Sequence, residues 1–188
     1  METSFLSSEE LKNFGFKAIG TNVFISRKVS IYSPQFISIG NNVRVDDFCI
    51  LSGNITLGSY IHISAYTALY GRNGITVADF ATISGRVFIY SQNDDYSGDF
   101  MTNPMVPVEF TNVQGGEVRI EKHAIIAAGC VILPDLTIGE GACIGAMSLL
   151  KTSADAWMVY AGIPAKLKGP RNKSILKLEK QIMINRQD

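Results

Sequence analysis

The chain has 188 residues, 46% hydrophobic and 18% charged, enough apolar surface to bury a core in one or two domains; disorder and collagen are excluded. Seventeen basic and seventeen acidic residues leave no formal net charge, so the broad positive field of a nucleic-acid binder is missing and a small, locally recognised ligand fits better. No apolar stretch approaches the roughly 20 residues that cross a bilayer, and residues 1–10 lack a basic segment followed by an apolar one, so a cytosolic protein is predicted.

In chain order, Ser7-Ser8-Glu9-Glu10 reads as a capping box that opens a short helix ending near Gly15. A six-residue period follows, in four runs offset by two residues: Ile19, Ile25, Ile31; Ile39, Val45, Leu51, Leu57, Ile63, Leu69; Val77, Ile83, Ile89; and Ile120, Ile126, Ile132, Ile138, Ile144, Leu150. The fourth residue after each is mostly small or apolar, as at Val43, Cys49, Ala81, Ala124, Cys130 and Ala142, and turn formers such as Asn42, Gly58 and Gly141 lie between. A helix needs a period near 3.6 and a hairpin sheet strict alternation, and neither template fits. A short strand and a corner every six residues fit a triangular, all-β parallel β-helix of about six coils, about 29 Å tall at the spacing of stacked strands. The three cysteines, Cys49, Cys130 and Cys143, match neither a zinc pair nor a disulfide framework and read as structural thiols.

The period stops at Ile89 and resumes at Ile120, so residues 90–119 form a long excursion. Long loops inside compact repeats are more often functional than idle, and Asn93, Asp94, Asp95, Tyr96 and Phe110 offer amide, carboxylate and aromatic groups to a polar ligand. Beyond the repeat, residues 172–186 carry Ile175, Leu178 and Ile182 at helical spacing and predict an amphipathic terminal helix. The predicted organisation is an N-terminal cap (1–18), a repeat domain (19–168) and a C-terminal helix (169–188).

The hexapeptides, the excursion after Ser91 and the ending Tyr160-Ala161-Gly162-Ile163-Pro164-Ala165-Lys166 together resemble the hexapeptide-repeat acyltransferases. The branch they are most similar to is the galactoside, maltose and xenobiotic acetyltransferases, with the sugar O- and N-acetyltransferases of surface-polysaccharide pathways. The resemblance implies a left-handed β-helix, a homotrimer, acetyl-CoA as donor in grooves between subunits, and transfer to a hydroxyl or amine of a sugar. A threefold assembly of prisms also has a physical logic, since each flat face buries one contact strip.

Acyl transfer needs a base for the acceptor's proton and donors for the developing oxyanion. The family's base is a histidine at the sixth position of the last hexapeptide before the loop, where this chain has Asp94. An amine acceptor asks less of a base than a hydroxyl does. His62 points outward at a different corner and has two readings: a surface histidine, or a base oriented by Asp94 or Asp95 of a neighbouring subunit. His123 occupies a turn position. Small residues in one column, including Ala128 and Ala146 with Gly145 beside them, form a corridor that suits either the pantetheine arm or a subunit contact. Lys166, where the family ending places a basic residue, is assigned to the coenzyme phosphates, with Lys168 and Arg171 following. Trp157 reads as packing or as an adenine stack. Asn93 and Tyr96 are candidate acceptor contacts.

Two other classes share the prism. A γ-carbonic-anhydrase site needs three histidine ligands and the chain has two, so no metal site is assigned. A non-catalytic β-helix scaffold or ligand-binding module needs neither the long loop nor the Gly-Ile-Pro-Ala-Lys ending.

Overall fold

The computed structural model describes residues 4–184. Parallel strands wind into a left-handed β-helix of six triangular coils. The repeat aliphatics from Ile39 to Leu150 are buried, Ile25 with them, while Ile19 and Ile31 pack half-buried at the open end. The fourth-position residues Val43, Cys49, Ala81, Val87, Ala124, Cys130 and Ala142 also point inward. The first face adds a second inward residue two positions earlier, at Ile37, Ile55, Ile75, Val118 and Leu136, which the six-residue period alone does not reveal.

Each corner requires one residue in the left-handed region. At the corner between the first two faces these are Asn22, Asn42, Tyr60, Phe80, His123, Gly141 and Trp157, with φ from 55° to 64°. A side chain at positive φ costs about 1–2 kcal/mol. From the second coil on, the cost is offset because each such N–H donates to the coil below, as in Tyr60 N to Asn41 O (2.9 Å) and Trp157 N to Glu140 O (2.7 Å). Corner side chains therefore stack: Asn22 donates to Asn42, and Tyr60, Phe80 and His123 form an aromatic ladder with ring centroids 4.4 and 5.3 Å apart. Gly141 interrupts the ladder so that Trp157 can lie across it, 6.3 Å from His123.

The three faces differ on their outer surfaces. The first is polar, presenting Ser38, Thr56, Thr76, Arg119 and Thr137 in register. The second is covered over its last coils by the C-terminal helix, α2 (Ile175–Ile184), which packs Ile175, Leu178 and Ile182 beside Thr82 and Ile125. The third is largely apolar, with Ile50, Ala68, Phe88, Val131 and Leu149 in one column and Tyr32, Ser52, Tyr70 and Tyr90 in the next, and the described residues leave Phe88 and Tyr32 exposed on it.

Both flanking helices match the sequence reading. The N-terminal helix, Ser8–Asn13, has Ser7 as N-cap with the reciprocal Glu10 bond, and Arg27 grips Glu10 with both terminal nitrogens, holding its carboxyl down at about 2. Residues 185 and 186 of the predicted C-terminal helix, and 1–3 of the cap, lie outside the described residues. The excursion is shorter than the lost period implies. Gln92–Asn93 pairs antiparallel with Gln114–Gly115, and Val118–Ile120 is already back in the prism. These ladder residues are polar, so an aliphatic period cannot register them.

Gly141 shares its φ with larger residues of the same corner, so the glycine is required by space: a Cβ there would lie 2.4 Å from the Trp157 ring. Gly141→Ala is expected to cost about 1–3 kcal/mol by overpacking. Chemical denaturation followed by the fluorescence of Trp157, the single tryptophan, measures this.

Candidate active site

The loop leaves the prism at Ser91, whose buried hydroxyl accepts from Asn73 N (2.8 Å) and donates to Tyr70 O (2.9 Å). Gly115 closes the root so tightly that a Cβ would sit 2.3 Å from Ser91 O. Past the root the two neighbouring carboxylates do different things. Asp95 accepts from the Ser97 hydroxyl, from Ser97 N (2.8 Å) and from Asn112 Nδ2 (2.8 Å), and these bonds hold its carboxyl below the ordinary range. Asp95 thus staples the loop across its width. Asp94 has no side-chain hydrogen bond among the described residues and lines a cavity of about 530 Å³ between the loop and the last two coils. Asn93, Asp95 and Tyr96 share that cavity with Leu133, Pro134, Asp135 and Lys151. A second cavity of about 210 Å³ is lined by Asn93, Asp94 and Tyr96 together with Tyr90, Gln92 and Val113. Four residues singled out in the sequence, Asn93, Asp94, Asp95 and Tyr96, are therefore brought together.

The small-residue corridor is continuous at the opposite edge of the third face. Met147 N donates to Ala128 O and Gly145 N to Tyr160 O, which stacks the exposed Ala128 and Ala146 with Gly145 beside them. Gly145 abuts Ala161, where even a Cβ would come within 3.0 Å of the Ala161 methyl, and Ala161 pairs with Lys166 on the closing hairpin. Lys166 and Lys168 are exposed there. One coil before Ala127 on the same edge sits Ser84, half-buried, with no hydrogen bond to its hydroxyl among the described residues. Ser84 was not singled out in the sequence. The signal lies in the residue after each aliphatic, which changes from polar (Ser26, Asp46, Ser64, Ser84) to small (Ala127, Gly145) along the prism.

His62 lies outside both cavities. It projects from the second face, where its Nε2 is 2.7 Å from Asp46 Oδ2 of its own chain, and Arg44 Nε holds the other oxygen at 2.7 Å. Partial burial pushes the Asp46 carboxyl up, but the bonds from Arg44 and His62 outweigh it and leave it below the ordinary range. The carboxylate that orients this imidazole is Asp46; neither Asp94 nor Asp95 meets it within the chain. The pairing follows from strand register, which sets Arg44 beside His62 and carries Asp46 to the same edge.

The structure places three further residues that the sequence raised. His123 is buried in the aromatic ladder and bonded to Glu179 of α2 (2.8 Å), so it docks the terminal helix together with Lys122. Arg171, grouped in the sequence with Lys166, donates to the carbonyls of His123 and Gly141 (both 2.8 Å) and so caps the corner. Trp157 is buried against that ladder, with the Lys173 ammonium 5.5 Å from the centre of its ring.

A family profile described as bacterial transferase hexapeptide (six repeats) matches residues 117–152. With a full-length relative at 49% identity, the chain belongs to the hexapeptide-repeat transferases and is an acyltransferase. That relative is a dTDP-4-amino-4,6-dideoxy-D-glucose acyltransferase of Escherichia coli, aligned over 179 residues, 94% of this chain and 93% of the relative. A solved structure of AntD, an N-acyltransferase from Bacillus cereus, in complex with dTDP and 3-hydroxybutyryl-CoA superposes with a TM-score of 0.97 at 49% identity over the whole of both chains. A chloramphenicol acetyltransferase of Agrobacterium fabrum is 27% identical over 62% of this chain and 68% of its own.

The lowered pKa of Asp95 means that its stapling bonds contribute fully above the ordinary value of about 3.9 and are lost as the pH falls through the lowered one. At pH 7, Asp95→Ala is expected to speed proteolytic cleavage within residues 97–112 by about tenfold while the melting of the prism stays unchanged. Wild-type protein should approach the variant's loop mobility, followed by hydrogen exchange, below the folded-state pKa.

Proposed function

We propose that the protein transfers an acyl group from a coenzyme A thioester to the amino group of a nucleotide-linked amino sugar. The observation that carries this reading is Asp94: a carboxylate without a side-chain partner among the described residues, at the junction of two cavities, where the family's general base stands. A carboxylate attracts and orients the sugar's amino group by charge and hydrogen bonding, whereas a sugar hydroxyl calls for a stronger base. The amine nitrogen attacks the thioester carbon, the C–N bond forms and the C–S bond breaks. The amine attacks in its neutral form, and Asp94 takes the one proton that nitrogen loses as the amide forms and passes it to the departing thiolate. Ser84, its hydroxyl also unpartnered among the described residues, supplies a donor for the oxyanion.

The relatives support both assignments. The E. coli relative is named for a dTDP-linked 4-amino sugar, and AntD structures hold coenzyme A with that sugar nucleotide or with dTDP. Variants S84A and D94A of AntD have been crystallised, and this chain has a serine and an aspartate at the same numbers. In this reading coenzyme A lies along Ala128, Gly145 and Ala146 toward Lys166 and Lys168, Asn93 and Tyr96 contact the sugar, and Asp95 shapes the loop. His62, committed to Asp46, is left out of the chemistry. Acetyl is the donor group we assign, 3-hydroxybutyryl being the alternative that AntD raises, and the product is consumed in building surface polysaccharide in the cytoplasm.

A homotrimer completes the site. Within one chain the corridor and the loop cavities lie on opposite edges of the third face, and that face is the apolar one left uncovered. Packing it about a threefold axis buries it and sets one chain's corridor beside the next chain's loop.

Release of thiol from acetyl-CoA and 3-hydroxybutyryl-CoA, with dTDP-amino sugars and matched dTDP-sugars lacking the amine, tests the reaction. Turnover is expected only with the amine, and equal turnover of the hydroxyl sugar would reject N-transfer. Asp94→Asn should lower kcat/KM by at least about tenfold, with His62→Asn close to wild type. Val131→Arg, in the middle of the apolar face, should give monomers by light scattering and abolish turnover; an active monomer would remove the shared site.

A further inference from the structure

We propose that the tip of the loop, residues 97–112, hooks over a second copy of this chain, where Val108 and Phe110 cover the exposed corner rings of Phe48 and Tyr66 and Glu109 pairs with Arg86. The proposal rests on the trimeric reading above and adds the contact that locks one subunit's loop to the next.

Three observations carry it. The first is what the tip exposes. It is bonded to itself, with Met101 N donating to Phe110 O (2.9 Å), Met105 N to Asn103 Oδ1 (3.0 Å) and Thr111 N to Val108 O (3.1 Å). This turn nonetheless holds apolar side chains outward: Met105 is 90% exposed, Val108 82% and Phe110 56%. Apolar groups presented to water by an ordered segment mark an interaction surface.

The second is charge. Residues 90–116 carry Asp94, Asp95, Asp99 and Glu109 and no lysine or arginine. Glu109 sits between Val108 and Phe110 in a single helical turn and has no side-chain partner among the described residues. Such a tip fits an apolar surface that contains a cation. The far edge of the third face is one. Phe48 and Tyr66 stack there with ring centroids 5.0 Å apart, both about half exposed, and Arg86 follows one coil on in the same column, with φ near 60° at all three. Arg27, Arg44 and Arg119 hold carboxylates and Arg171 caps two carbonyls, whereas Arg72 and Arg86 have no side-chain partner among the described residues. Arg72 stands on the loop's own edge, where the next residue, Asn73, bonds Ser91, so Arg86 is the cation that belongs to the opposite edge.

The third is height. Arg86 and Ser91 flank the strand Phe88–Tyr90, one at each edge of the third face. A threefold axis along the prism keeps every residue at its own height, so one chain's Arg86 stands level with the next chain's loop root. Arg86 also lies two residues beyond Ser84. Seating the hook there carries the neighbour's loop, and Asp94 with it, to the coil that bears Ser84.

The test is a charge-reversal cycle on the full chain, read as the rate of chymotryptic cleavage at Phe100 and Phe110 in the assembled protein. Arg86→Glu and Glu109→Arg are each expected to speed cleavage about tenfold, and the two together to bring it within about twofold of wild type. Thermal melting of the prism should not change, since both side chains are exposed. In monomers obtained by Val131→Arg, cleavage should be fast and indifferent to either charge and to their combination. Purely additive effects in the trimer overturn the contact, as does unchanged cleavage in both single variants, the result expected if the tip faces solvent or a different protein. Rescue that survives in the monomer also overturns it, by placing the pair within one chain, and so does rescue by Glu109→Arg of Arg72→Glu in place of Arg86→Glu. Wild-type protein that sediments as a monomer rejects the trimer itself, and the hook with it.

Discussion

Hydrogen bonds between successive coils are the constraint on which the rest depends. They set each residue directly over its counterpart about 4.8 Å away, so a side-chain choice made once per coil becomes a column along the prism. The apolar third face, the aromatic corner ladder and the small-residue corridor are all columns of this kind. The left-handed corner residues keep the columns straight: Tyr60, Phe80, His123 and Trp157 share nearly the same φ and therefore the same direction. The single long departure from that order, between Tyr90 and Val118, is where titratable and aromatic groups gather around two cavities.

The fold was largely legible because burial imposes a period that aliphatic spacing reports directly, and the predicted coils, caps and terminal helix match the structure. The loop residues Asn93, Asp94, Asp95 and Tyr96 were legible as a group for the complementary reason that the period fails there. Their separate roles were not. Asp94 and Asp95 are adjacent and chemically identical, and only the bonds from Ser97 and Asn112 distinguish a staple from a free carboxylate. His62 illustrates a different limit: its outward position follows from the hexapeptide count, but its bond to Asp46 depends on how two strands align and how two side chains turn. Ser84 lies in the column between the inward and corner positions, which neither the aliphatic period nor the turn formers mark.

The chemistry follows from what each face leaves uncovered. One face is polar, one is occupied by α2 through Glu179 on His123 and Lys122, and the third offers apolar surface with the corridor on one edge and the loop on the other. The corridor and the loop cavities lie on opposite edges of that face, and in the homotrimer proposed above a threefold axis would set one chain's corridor beside the next chain's loop. An unpaired carboxylate in place of a histidine then fits an acceptor that brings its own nucleophilic nitrogen.

The most direct measurement of this account is subunit mixing between Ala146→Trp, which fills the corridor, and Asp94→Lys, which blocks the cavity. Each variant alone should be inactive as a folded trimer. After random reassembly in equal amounts, about a quarter of the interfaces unite an intact corridor with an intact cavity, so about a quarter of wild-type turnover should return. No recovery in trimers verified as mixed would contradict the shared site and return both substrates to a single chain.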